Sequence, residues 1–277
     1  VGLGSTGIGI VKKLEEMSQY ECFYIDEGLK RKKNHLSLAK SLSHEEYEKI
    51  PQQKLDSFAK KIEDNLTLFV CGTDSVSGAS LNFLQQAHNN KISLSVVYVI
   101  PDLSVLGETK ILQERVTRGV LQEYARSGVF DKMLLVSNDN LDALTGETTV
   151  MSYYDDLNNT FTKMYHMVNV FKNSDPVSNT FSPPRPTSRV STLGMMDFNT
   201  GEEKALFAIK EVREVMYYLG INKEKLQTEK NLFRKLTGLV KSKKEEYGKV
   251  SFGIYPTNYE DDLGYVEYFS SQIQEYS

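Results

Sequence analysis

Three glycines near the start of the chain, Gly2-x-Gly4-x-x-Gly7, lead directly into a helix-period segment beginning at Ile8. Where a strand turns into a helix, the first backbone N–H groups have no partner within the helix. They point outward with the positive end of the helix dipole, so a phosphate can settle on them. Ser5 and Thr6 lie between the glycines and are counted with the same loop. Asp26 closes the next strand, about 20 residues on, where a dinucleotide fold places a carboxylate on the ribose hydroxyls. An NAD-dependent oxidoreductase therefore fits this loop too, and the glycines also serve a plain strand-to-helix turn. The loop alone does not choose. A second loop of small residues, Cys71-Gly-Thr-Asp-Ser-Val-Ser-Gly-Ala-Ser80, precedes another helix and offers Gly72, Thr73, Ser75, Ser77 and Gly78 as phosphate ligands. Two such loops favour a polyphosphate. The same stretch also reads as a capped turn before a helix, and Asp74 within it would repel phosphates unless a cation intervened.

Loops of this kind need strands joined by crossover helices. Residues 1–153 alternate short apolar runs with helix-period segments, which reads as a parallel α/β sheet flanked by helices in a Rossmann-like domain. Strands are expected at 21–25, 66–70, 94–100 and 133–136. Ile8/Val11/Leu14, Leu55/Phe58/Ile62 and Leu112/Val116/Val120 recur at three- and four-residue spacing, so those faces are expected to cover the sheet. A long central helix, 154–172, carries Leu157, Phe161, Met164, Tyr165, Val168 and Phe171 nearly all round and is expected to be buried. The stretch 173–190 holds Pro176, Pro183, Pro184 and Pro186 and cannot be continuous helix. It marks a domain boundary. Residues 191–277 read as a smaller α+β domain with a strand at 191–196, helices at 202–219 and 223–246, and a hairpin-like pair at 251–255 and 264–269. The chain opens at what reads as a strand's end, so a few strand residues are expected before Val1.

Ser75-Val-Ser-Gly78-Ala resembles the end of the Gly-Gly-Gly-Thr-Gly-Ser/Thr-Gly signature of the tubulin/FtsZ superfamily, with Asp74 and Val76 standing where that family has glycine. Val97-Tyr-Val-Ile-Pro101, Gly107, and Leu134-Leu-Val-Ser-Asn138-Asp-Asn-Leu141 follow in the order of the FtsZ strand, proline, helix, strand and Asn-Asp/Glu-Lys-Leu. Tyr154-Asp-Asp156-Leu-Asn158 is similar to the tubulin pattern Tyr-x-Asp-Leu-Asn at the start of the central helix. Val190-Ser-Thr-Leu-Gly-Met-Met196, Gly201-Glu-Glu-Lys-Ala, Ser251-Phe-Gly-Ile-Tyr and Gly264-Tyr-Val-Glu-Tyr-Phe resemble parts of the second domain. The likeness spans nearly the whole chain and rests on collinearity.

The resemblance implies GTP or GDP as ligand with magnesium carried by the nucleotide, Asn158 pairing with the guanine edge and Tyr154 stacking on the base. An amide offers both a donor and an acceptor, and a flat ring offers a face. It also implies self-association head to tail into filaments. Hydrolysis would need an acidic loop inserted into the next subunit's site. That loop falls within 173–188, whose one carboxylate is Asp175, while Asn179 and Thr180 stand near the family's Asn-x-Asp. GTPase turnover is thus left open beside a non-hydrolysing structural protein on the same fold. Leu106 stands where a ribose-contacting acid is expected, with Glu108 nearby. The chain is also similar to short phage and plasmid relatives, which centre or segregate DNA, so a DNA-binding adaptor is an implied partner.

Composition sets the remaining bounds. A net charge of -4 from interspersed acids and bases argues against direct nucleic-acid binding. Two cysteines, Cys22 and Cys71, suit a reducing, cytoplasmic setting better than a disulfide framework. No apolar run reaches the roughly 20 residues that span a bilayer, and His35, His44, His88 and His166 lack metal-ligand spacing. No protein-held metal and no membrane partner are expected.

Overall fold

A computed structural model describes residues 1–41 and 43–276. The chain divides into two compact units, Val1–Thr162 and Lys163–Ser277, with one long helix running through the division.

The first unit contains β1 (Gly2–Leu3), α1 (Gly4–Glu15), β2 (Tyr24–Glu27), β3 (His35–Leu38), α2 (His44–Tyr47), α3 (Gln52–Ala59), β4 (Asn65–Cys71), α4 (Ser80–Asn89), β5 (Ser93–Ile100), α5 (Glu108–Ser127), β6 (Lys132–Ser137) and α6 (Asn138–Thr145). The strands pair in the order β3-β2-β1-β4-β5-β6, and every pairing is parallel. Leu68, Val70, Val96, Tyr98, Ile100, Met133, Leu135 and Val136 are fully buried. A parallel sheet covered on both faces produces such unbroken apolar runs, which is why four of its strands were visible in the sequence. The first helix buries Ile8, Ile10, Val11 and Leu14. The third ends at Ala59, so Ile62 is buried from the turn beyond it.

The expected sheet-facing stripe of α5 is corrected. Leu112 is 61% exposed and Val116 55%. The helix instead buries Glu114, Thr117, Arg118, Leu121, Gln122 and Ala125. Its inner face is polar at one end, where Glu114 and Arg118 neutralise each other at 2.7 Å and the Thr117 hydroxyl donates to Gln113 O at 2.8 Å.

The central helix, α7 (Tyr153–Lys172), is continuous over 20 residues. Leu157, Phe161, Met164, Val168 and Phe171 are buried. These fall at alternating spacings of four and three, so the helix has one apolar seam rather than the all-round burial expected, and Tyr154 lies outside it.

The second unit adds β7 (Ser178–Asn179), β8 (Val190–Met196), β9 (Glu203–Ala205), β10 (Val212–Asn222), α8 (Lys223–Thr228), α9 (Leu232–Ser242), β11 (Lys249–Thr257) and β12 (Leu263–Ser270). Its strands run β8-β12-β10-β11-β7, with β9 on the side of β8. Three expectations fail here. The helix expected at 202–219 is β9 followed by β10, a central strand buried from Glu214 to Ile221. The lysine-rich helix at 223–246 is broken at 229–231, where Asn231 takes a left-handed φ of 69°. The two last strands do not form a hairpin. The tenth strand lies between them, parallel to β11 and antiparallel to β12.

Alternation along β10 builds two layers. Val215, Tyr217, Leu219 and Ile221 join Leu232, Leu236 and Val240 of α9 in one core, while Tyr218 turns to Phe181 on the other face. The proline-rich segment contains no α-helix. It is strapped to the sheet by Val177 N–H donating to Ile254 O and Thr180 N–H to Phe252 O, both at 2.8 Å. Buried Glu214 takes the Arg185 N–H and the Ser188 hydroxyl, and meets Lys249 at 2.9 Å.

Candidate functional site

In the first unit β2 lies on one side of β1 and β4 on the other. A strand order that reverses in this way opens a crevice beyond the carboxyl ends of the strands. The register pairs Leu3 with Val70, so the loops leaving β1 and β4 start side by side. Both glycine loops therefore meet at the switch point, as do the ends of β2 and Asp26.

The first loop is short because α1 begins at Gly4 itself. Gly4 has φ +74°, a conformation that an L side chain adopts only under strain. The N-terminus of α1 already holds an anion from within the chain. Thr6 N–H donates to Asp74 Oδ2 at 3.1 Å, and the Ser5 hydroxyl donates to Asp74 Oδ1 at 3.0 Å. The carboxylate lies directly on Gly4, where a Cβ would stand 2.6 Å from Oδ2. Burial pushes the Asp74 carboxyl above its usual range, against the Thr6 and Ser5 hydrogen bonds and the nearby Lys110 charge. Asp26, whose carboxylate accepts the Glu27 N–H at 2.8 Å, is also raised, by burial first and with Asp74's charge adding to it.

The second loop is held from behind. Lys110 Nζ donates to Thr73 O at 2.6 Å, and Gln113 Nε2 donates to Gly72 O at 2.6 Å and Asp74 O at 3.3 Å. Tyr98 OH donates to Glu114 O at 3.0 Å, fixing α5 over β5. Ser77 is buried, with its hydroxyl donating to Gly72 O at 3.1 Å and lying 3.1 Å from His44 Nε2. Gly78 packs against the His44 backbone. Ser77 and Gly78 thus face the interior, whereas Thr73 and Ser75 are half-exposed on the crevice loop. Val76 is buried.

The start of α7 is tied to α1. Lys13 meets Asp155 at 2.9 Å, and the Asn158 amide rests on Gly9, where a Cβ would stand 2.6 Å from Nδ2. Tyr154 is 68% exposed and lies edge-on to Tyr153, leaving a ring face open. The structure therefore gathers Gly2, Gly4, Ser5, Thr6, Gly7, Asp26, Gly72, Thr73, Ser75, Tyr154 and Asn158 in one unit. Asp175 is exposed and belongs to the other. Lys110, Gln113, His44 and Gly9 escaped sequence reasoning. The signal for the first two was the stripe Glu114/Arg118/Leu121/Ala125, apolar only in its second half and masked by the more evident Leu112/Val116/Val120.

No protein-family model matches the chain, and no curated protein sequence does. Solved structures do. The chain superposes on a GTPγS-form protofilament of Bacillus thuringiensis serovar israelensis TubZ with a TM-score of 0.67 at 12% identity, covering 97% of this chain and 86% of that one. The fold is that of the tubulin/FtsZ superfamily. CetZ from Methanosaeta thermophila gives 0.67 at 15% identity, covering 97% and 85%. An empty FtsZ dimer of M. jannaschii gives 0.69 at 9%, covering 98% and 87%. The tubulin/FtsZ fold accounts for a parallel β-sheet flanked by helices, a long central helix and a smaller α+β unit in one chain. Among the described residues, no helix is long and apolar enough to cross a membrane.

Proposed function

We propose that this protein binds a guanine nucleotide at the carboxyl ends of β1, β2 and β4 and assembles head to tail into filaments. The observation that carries the reading is the carboxylate seated on Ser5 and Thr6 at the N-terminus of α1. These donors accommodate an anion, at the switch point where an open α/β sheet takes its ligand. A phosphate suits the same donors. Asn158, positioned by Gly9, would read the guanine edge, and Tyr154 would stack on the base. Magnesium would arrive with the nucleotide, and the Lys110 charge lies near enough to temper Asp74. Asp26 would approach the sugar.

Self-association is supported by the fold's relatives. TubZ has been solved as protofilaments in GTPγS and GDP forms and as two- and four-stranded filaments. Hydrolysis in this protein would rest on Asp175 reaching the next subunit's nucleotide, and a strap with a single carboxylate points to slow turnover. A non-hydrolysing filament or scaffold on the same fold is the second reading, favoured by Asp74 in the phosphate's place. A cytoplasmic setting and a DNA-binding adaptor belong to the same reading. The nicotinamide alternative keeps the first glycine loop, the strand order and Asp26 in its favour but leaves the second loop idle.

Calorimetric titration with GTP, GDP, ATP and NAD in magnesium buffer, followed by light scattering, tests this. Selective guanine nucleotide binding and a rise in scattering with GTP are expected. Binding of NAD alone, or of no guanine nucleotide at all, would overturn it.

A further inference from the structure

We infer that Asp74 is an internal competitor for phosphate, a carboxylate latch that must leave the N-terminus of α1 before a nucleotide can seat there. The inference rests on the guanine-nucleotide reading of the site and adds a form of control to it. Three observations carry it. The Asp74 carboxylate uses both oxygens, one on the Ser5 hydroxyl and one on the Thr6 N–H, and these are donors a phosphate at this helix start would take. The side chain also fills the space left by the missing Cβ of Gly4, its Oδ2 2.6 Å from where that atom would be, so a phosphate and the carboxylate cannot share the place.

The third observation is that the latch is separable from its loop. The contacts that hold residues 72–74 to α5 are made by the backbone carbonyls of Gly72, Thr73 and Asp74, to Gln113 and Lys110, and not by the Asp74 side chain. A rotation of that side chain can free the anion place while the loop stays docked. Burial raises the Asp74 carboxyl despite its two hydrogen bonds, so the charged latch is held less firmly than an ordinary capping carboxylate. Nucleotide binding is thereby coupled to the position of one side chain in the second loop, which covers the anion place while it sits on Ser5 and Thr6.

The test compares the wild-type chain with Asp74→Asn and Asp74→Gly by calorimetry, using inorganic pyrophosphate and, separately, GTP with magnesium. Hydrogen exchange at the Thr6 amide reports the latch directly. Each variant should bind pyrophosphate about 10- to 100-fold more tightly than wild type, the scale of losing a competing charged hydrogen-bond acceptor. The Thr6 amide should exchange faster in Asp74→Gly, which has no side-chain acceptor, and regain protection with pyrophosphate. GTP affinity should rise by a similar factor. If wild type binds GTP and the variants bind both ligands equally or more weakly, the latch fails while the nucleotide reading stands, and Asp74 is then a supporting ligand. If pyrophosphate tightens and GTP binds nowhere, the latch holds and the guanine reading fails. Absence of binding by all three folded proteins removes both.

Discussion

Gly9 and Asn158 make a test at the level of single residues, because stability and ligand affinity should move in opposite directions. Replacing glycine by alanine inside a helix adds roughly 0.5–1 kcal/mol of stability. At Gly9 the new Cβ would also stand 2.6 Å from the Asn158 amide and turn it away. Gly9→Ala is therefore expected to keep or raise the melting temperature while weakening guanine nucleotide binding by about 1–3 kcal/mol, as Asn158→Ala should. Unchanged affinity with a folded variant would remove Asn158 from the base site. The Asp74 carboxyl gives a pH test. Its folded pKa lies above its unfolded value of 3.8, so its contribution to stability is complete below that value and is lost as pH rises through the folded pKa. Asp74→Asn lacks this dependence. The stability of the variant relative to wild type should therefore grow as pH is raised from about 4 and then level off; urea denaturation at stepped pH measures it, and a flat or falling difference would contradict the buried-carboxylate account. Of these residues, the sequence showed the glycine loop and Asn158 through spacing and motif. Asp74 was visible only as a repulsive charge, because its partners Ser5 and Thr6 lie 69 and 68 residues away and no local pattern links them.

Among the elements, α5 shows what periodicity can and cannot reveal. Leu112, Val116 and Val120 satisfy a helical apolar stripe, yet the helix turns its charged side inward, where Glu114 is fully buried and paired with Arg118. The reason is positional. The start of α5 must supply donors to the carbonyls of the second loop, and apolar residues cannot. Glu114→Ala should cost about 3–5 kcal/mol, since it removes the carboxylate paired with a buried guanidinium, whereas Leu112→Glu should change stability by no more than about 0.5 kcal/mol. Thermal or chemical denaturation of both separates the two faces; a large loss in Leu112→Glu would restore the apolar stripe to the core. The tenth strand was illegible for a related reason. Its charges cluster at Arg213 and Glu214 before the run Val215–Ile221, and a strand buried on both faces shows no period of two that would separate it from a helix. Glu214 is tolerated there because the strap and Lys249 satisfy it. β4, β5 and β6 were legible because their runs are short, apolar and bounded by glycine or polar residues, whereas the strand expected at 21–25 is β2 at Tyr24–Glu27 and β3 (His35–Leu38), with polar residues at alternate positions, was not read.

Considered as a whole molecule, the chain keeps the residues proposed to hold a nucleotide in the first unit and Asp175 in the second. On the filament reading, a complete hydrolytic site is built from the first unit of one subunit and the second unit of its neighbour. That arrangement makes a quantitative prediction. Asp175→Ala should leave nucleotide affinity and assembly intact and abolish whatever turnover the assembled protein has. Asn158→Ala, at a GTP concentration below its weakened affinity, should be inactive through loss of nucleotide. Mixed in equal amounts, with GTP-bound Asp175→Ala subunits driving assembly and Asn158→Ala subunits co-sedimenting with them in random order through one head-to-tail interface, about one junction in four pairs an intact nucleotide face with an intact Asp175. Phosphate release should then recover to about a quarter of the wild-type rate, although neither variant is active alone. Recovery should vanish below the concentration at which scattering reports assembly, because no junctions form there. If the mixture stays inactive while wild type turns over and both variants co-sediment in the mixed filaments, Asp175 does not act across subunits. The residual chemistry would then have to come from the crevice of a single subunit, where Asp26 and Asp74 are the acids at hand.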